Sequence, residues 1–193
     1  MNIKHNKQDI IAGGEQLFRA KGYHDTGIQD ILKFCDISKG SFYNFFSSKE
    51  AFTLQVIDYF GDRMTQFIRA HVADKEQPAM KRLRSIYYAL LEIAEQEGCN
   101  KGCLVYNMSF EMAGGNSDIA NALDVQFERW LDLIAECIRQ GQEAGEITTS
   151  KDAYELAAVI HTSVNGAYGR VKMKRDVQPM KTIVDTLLDF MQA

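Results

Sequence analysis

The stretch from Thr26 to Phe52, TGIQDILKFCDISKGSFYNFFSSKEAF, reads as two short helices and the beginning of a third, separated by tight polar turns. Thr26 with Gln29, and Ser47 with Glu50, stand at the spacing of a capping box, in which a hydroxyl and a side-chain carbonyl or carboxylate satisfy the free amides of a helix start. Ser38 can cap a further start. Ile28, Ile31 and Leu32 recur at helical spacing after the first cap, and a Cys-Asp-Ile turn follows. The helix opened by Ser38, SKGSFYNFF, has a small polar edge of Ser38, Gly40 and Ser41 beside its aromatics, with Lys39 at one end and Lys49 just beyond the other. A wholly buried helix has no need of that edge. A short helix with a small polar N-terminus, backed by Phe42 and Phe46, suits the DNA major groove, where amides and hydroxyls meet base edges and phosphates. The pattern is that of a helix-turn-helix.

Outward from this stretch, the chain of 193 residues is 46% apolar, enough for one or two cores. Only two prolines and few β-branched runs leave almost nothing that reads as strand, so the expected class is all-α. A formal net charge of −4 does not by itself suggest a nucleic-acid partner. Residues 1–50, however, carry seven Lys/Arg against six Asp/Glu, and the remainder fifteen against twenty. That asymmetry supports DNA binding only because Lys33, Lys39 and Lys49 fall in the helix-turn-helix. Polar residues after Met1 predict no signal peptide, and no apolar run approaches the roughly 18 residues that span a membrane, so the expected setting is cytoplasmic. In that compartment Cys35, Cys99, Cys103 and Cys137 are expected to be reduced, with Cys35 and Cys137 as buried packing residues. Four histidines with no paired Cys/His spacing argue against a zinc site, and no cofactor is expected.

About nine helices follow from the apolar spacing. Asp9 to Lys21, ending at Gly22, should brace the helix-turn-helix, and a long helix from Ser48 carries Phe52, Val56, Tyr59, Phe60 and Phe67 inward. A fifth helix after Pro78 ends at Gly98, and CLVYNMSFEMA forms a short one that stops at Gly114-Gly115. Ser117 is expected to cap the next, which runs to Gly145. Asp152 to about Lys172 mixes apolar with small residues that let another helix come close. The last helix begins near Pro179 and bears a stripe of Met180, Val184, Leu187, Leu188 and Met191, which packs either on its own core or on a second copy of the chain.

Taken with Leu17-Phe18-Arg19-Ala20-Lys21-Gly22-Tyr23, the opening stretch resembles the signature of the TetR/AcrR family over roughly residues 8–60. That resemblance implies a helix-turn-helix DNA-binding domain at 1–48 and an effector-binding and dimerisation domain at 49–193. It implies a homodimer, paired through the last two helices, that represses from a palindromic operator and is released by an effector. Thr26 and Lys49, at helix starts, and Tyr43 are then placed for phosphates, while Lys39, Gly40, Ser41 and Asn44 are placed for base edges. Many relatives carry His or Tyr where this chain has Phe45, so no polar phosphate contact is assigned there.

For the remainder, aromatic and polar residues that could line an effector pocket include Tyr106, Phe110, Phe127, Trp130, His161 and Asn165. Lys101-Gly102-Cys103-Leu104 puts a thiol at a helix start beside a lysine, and both features stabilise thiolate. GCLVYNMSFEM also resembles a segment of the branch that includes the N-ethylmaleimide-reductase repressor. The resemblance implies an electrophile or oxidant sensor at Cys103, with Lys172 nearby; a small hydrophobic ligand is the other effector class. A catalytic role is not expected. The alternatives from other classes are a small all-α enzyme built on Cys103 and a helical adaptor that never meets DNA.

Overall fold

Several helix starts in this chain are capped by short polar side chains, and where two candidate caps are adjacent the fold chooses between them. The structure, a computed structural model, describes residues 6–193, so the first five residues of the expected head lie outside it. Among the described residues there are nine helices: α1 Lys7–Lys21, α2 Ile28–Phe34, α3 Lys39–Phe45, α4 Lys49–Val72, α5 Ala79–Gln96, α6 Leu104–Met112, α7 Ser117–Glu143, α8 Ala153–Lys174 and α9 Gln178–Met191. Extended pairing among them is confined to one isolated bridge, Ile147 with Gln192. The all-α expectation holds.

Three caps differ from the sequence reading by one residue. Gly27, not Thr26, precedes α2, and its amide donates to Asp30 Oδ2 at 2.9 Å. Ser48, not Ser47, accepts the Ala51 amide at 3.0 Å before α4, and Asn116, not Ser117, accepts the Ile119 amide at 2.9 Å before α7. Ser38 caps α3 as expected, accepting the Ser41 amide at 3.1 Å, and Asp152 caps α8.

The chain divides into two compact units. The first is Met1–Arg63 with Cys103–Gln126; the second is Met64–Gly102 with Phe127–Ala193. In the first unit the core is aromatic. Phe52 of α4 lies 6.0 Å from Phe18, 5.5 Å from Phe42 and 4.9 Å from Phe46, ring centre to ring centre, the spacings of tilted and edge contacts. Buried Glu15 on α1 is matched by Arg63 at 2.5 Å and Arg19 at 3.7 Å, as a buried carboxylate requires.

In the second unit, Leu83, Ile86, Trp130, Ile134, Ile160 and Val164 are buried together with the α9 stripe. Met180, Val184, Leu188 and Met191 of that stripe are buried within this one chain, where α9 packs on α8 and α5. Four of the five stripe residues therefore serve their own core, and Leu187 is half-buried. Exposed apolar side chains lie elsewhere on the same helices: Phe190 is 76% exposed and Met173 74%. Asp185 ties α9 to α5, accepting from the Tyr88 hydroxyl at 2.6 Å and from Arg84 at 3.3 Å.

Candidate functional site

Helix α3 is held by what lies beneath it. The turn after α2 passes through Asp36 in the left-handed region (φ 51), and the buried Ile37 donates its amide back to Leu32 at 3.0 Å. Phe42 and Phe46 are buried, as the sequence pattern requires, while Lys39, Gly40, Tyr43 and Asn44 are exposed and Ser41 is half-buried. Positions 39, 40, 43 and 44 share one helical face. Among the described residues a Cβ built on Gly40 would meet only Ser38 Oγ, at an ordinary 3.8 Å, so no packing among them demands a glycine there. Phe45 is 38% exposed and so is not core.

Two residues placed for phosphates are engaged within the chain. Thr26 is fully buried and its hydroxyl donates to the Gly22 carbonyl at 2.6 Å. Lys49 Nζ donates to the Tyr23 carbonyl at 2.6 Å and sits 3.8 Å from the centre of the Tyr23 ring, a cation–π contact. Burial pulls the Lys49 pKa down, and the carboxylates of Glu111 and Asp30 partly restore it.

Glu111 was not singled out by sequence reasoning. Its carboxylate accepts the backbone amides of Tyr23 at 2.8 Å and His24 at 3.1 Å, and the His24 ring lies 3.2 Å from the Glu111 carbonyl. One side chain on α6 therefore fastens the turn between α1 and α2. Gly22 makes this possible twice over: its φ is +87, and a Cβ there would stand 2.5 Å from a Glu111 oxygen. A second tie joins Asn116 to Glu50 of α4 at 2.9 Å. Glu111 falls in the quoted GCLVYNMSFEM segment, but its partners lie 88 and 87 positions away, beyond the reach of any local pattern.

Cys103 stands at the N-cap of α6 and is buried. Burial pushes its thiol up to about 11, while the Tyr106 and Val105 amides and the charge of Arg19 pull the other way. The helix start thus acts on the sulfur as expected, but desolvation outweighs it, so the thiol is protonated at neutral pH. All four cysteines are free. Tyr106 and Phe110 pack edge to face at 5.2 Å in the first unit, with Phe110 79% exposed. Phe127, Trp130, His161, Asn165 and Lys172 belong to the second unit. There the His161 ring is flanked by Tyr87, Phe127 and Trp130, Asn165 donates its side-chain amide to the His161 carbonyl at 2.9 Å, and Lys172 lies in the last turn of α8.

A short helix that shows Lys, Gly, Tyr and Asn to solvent over an aromatic floor, entered by a tight turn from the helix before it, defines a helix-turn-helix DNA-binding regulator. Residues 10–56 match bacterial regulatory proteins of the tetR family, and residues 79–187 match the tetracyclin repressor-like C-terminal domain. The chain belongs to the TetR family of DNA-binding transcriptional regulators. It is 31% identical over 183 residues to the HTH-type transcriptional repressor DhaR of Mycobacterium sp. (strain GP1), covering 95% of this chain and 90% of that protein. With the repressor NemR of Escherichia coli (strain K12) it shares 26% identity over 186 residues, 92% of each. The crystal structure of reduced E. coli NemR superposes with a TM-score of 0.88 at 25% identity over 96% of each chain. A regulatory protein TetR from Rhodobacter sphaeroides gives 0.90 at 28% identity, over 95% of this chain and 97% of that one. No helix among the described residues is long and apolar enough to cross a membrane.

Proposed function

We propose that the chain is a homodimeric, cytoplasmic repressor whose head, residues 1–48, binds half of a palindromic operator, and whose remainder, residues 49–193, pairs the subunits and senses an effector. The observation that carries this reading is the exposed face of α3, polar and small, laid over buried Phe42 and Phe46. Lys39, Ser41 and Asn44 meet base edges, Gly40 lets the backbone approach, and Tyr43 donates to a phosphate. Thr26 and Lys49 act at the edges of the contact, with Lys49 turning from Tyr23 towards phosphate.

Exposed Phe190 and Met173, on α9 and α8, support pairing through those helices. Phe190→Asp with Met173→Asp is expected to give a monomer in sedimentation that binds single half-sites only; an unchanged dimer would remove this surface from the interface.

Two effector readings each have an observation behind them. Cys103 begins α6, the helix whose Glu111 fastens the head, so adding a group to its sulfur shifts that helix at its root. N-ethylmaleimide tests this, forming a C–S bond while the thiol proton passes to the ring carbon. The second reading places a small hydrophobic ligand against the aromatic cluster around His161. Anisotropy on the gene's own upstream DNA should show tight binding, two chains per duplex, lost after N-ethylmaleimide and kept in Cys103→Ser if the cysteine senses. Binding that ignores the reagent leaves the repressor in place and assigns sensing to the ligand site.

A further inference from the structure

Three buried side-chain polar atoms find no hydrogen-bond partner among the described residues: the Tyr87 hydroxyl and both ring nitrogens of His161. Tyr87, on α5, is fully buried and His161, on α8, is 2% exposed. The imidazole is held among rings, with centres 5.4 Å away at Phe127, 6.0 Å at Trp130 and 6.4 Å at Tyr87. Buried polar groups in native proteins are nearly always paired, because leaving one unpaired forfeits the water it gave up. Three orphans on two side chains in one cluster indicate a partner from outside the chain.

We infer that Tyr87, Phe127, Trp130 and His161 form a binding site for a small uncharged molecule with an apolar body and a hydroxyl, or an equivalent group that both donates and accepts a hydrogen bond. The orphans define that class. A neutral imidazole offers one N–H and one lone pair, and the tyrosine hydroxyl can do either. Burial pushes His161 down to about 4 and Tyr87 well up, so neither carries charge at neutral pH. A carboxylate or an ammonium would lose its hydration and find no counter-charge on these four side chains. An apolar body gains the ring faces. This rests on the reading in which the effector is a ligand at the aromatic cluster.

The test uses the full chain labelled with ¹⁵N-histidine, titrated with phenol, benzyl alcohol and cyclohexanol, and with benzoate and benzylammonium as charged controls. At least one alcohol should shift both His161 ring nitrogens saturably, the signals being assigned by their absence in His161→Phe. Tyr87→Phe should weaken that binding at least fivefold. Because it deletes an unpaired hydroxyl, its melting temperature should hold or rise, which separates lost binding from lost fold. Nitrogens already hydrogen-bonded in the free protein and unmoved by every alcohol would signify bound water alone and overturn the site. An equal response to benzoate would overturn the uncharged class. Operator anisotropy in the same titrations keeps the two readings apart. A saturable His161 shift with unchanged DNA affinity upholds the site and removes its regulatory role; DNA release with His161 unmoved overturns the site and keeps the effector.

Discussion

Lys39→Ala, Tyr43→Phe and Asn44→Ala together should weaken operator binding by at least 100-fold while leaving the melting temperature within a few degrees of the parent. All three side chains are exposed on α3, so the fold loses little when they are cut back. A base-edge contact contributes about 1–3 kcal/mol of discrimination, and 100-fold corresponds to about 2.7 kcal/mol, so one base contact with one phosphate contact suffices. The single variants assign the roles. Loss of the Tyr43 hydroxyl from a phosphate should weaken all sequences alike, whereas loss of Lys39 or Asn44 from a base edge should relax preference at one position. Unchanged affinity in the triple variant would remove α3 from the interface. Lys49 is left out of this set because its ammonium is bonded to the Tyr23 carbonyl, and cutting it would disturb the head itself.

Glu111→Ala is the second large effect, and it acts through the fold. The Tyr23 and His24 amides would each lose a charge-assisted partner, which is stronger than a neutral one. Both sites are partly open to water, so the combined loss of stability should be about 2 kcal/mol rather than the sum of two buried bonds. Hydrogen exchange at those two amides should accelerate, and operator affinity should fall as the turn between α1 and α2 loosens. Glu111→Gln keeps an acceptor oxygen and should lose roughly half as much. Unaltered exchange at Tyr23 and His24 would show that the contact does not fasten the turn.

The local features of the head were legible in the sequence because they depend on near neighbours. Phe42 and Phe46 four residues apart must share a face, and their burial left Lys39, Tyr43 and Asn44 outside. The caps were misplaced by one because Thr26-Gly27, Ser47-Ser48 and Asn116-Ser117 each offer two residues able to stop a helix. Other bonds accompany two of these choices: Thr26 turns its hydroxyl back to Gly22, and Asn116, which caps α7, also donates to Glu50. Glu111 was hidden for the opposite reason, since its partners lie 88 and 87 positions away and periodicity does not reach that far. The α9 stripe shows a third limit. An apolar face announces that something covers it, but Met180, Val184, Leu188 and Met191 are covered by their own chain, while Phe190 on α9 and Met173 on α8 stay exposed. For Cys103 the sequence showed the helix start and could not show the depth of burial, which dominates the thiol.

The first unit is assembled from two separated pieces, Met1–Arg63 and Cys103–Gln126. On a ribosome the helix-turn-helix therefore emerges well before Glu111 and Asn116, the residues that fasten its turn and the start of α4. A nascent head waits, unfastened, while Met64–Gly102 is synthesised, and the ends of that intervening stretch must then be brought together at the entropic cost of closing a loop. A chain stalled or truncated before Glu111 is therefore expected to hold the turn between α1 and α2 less firmly than the finished protein does.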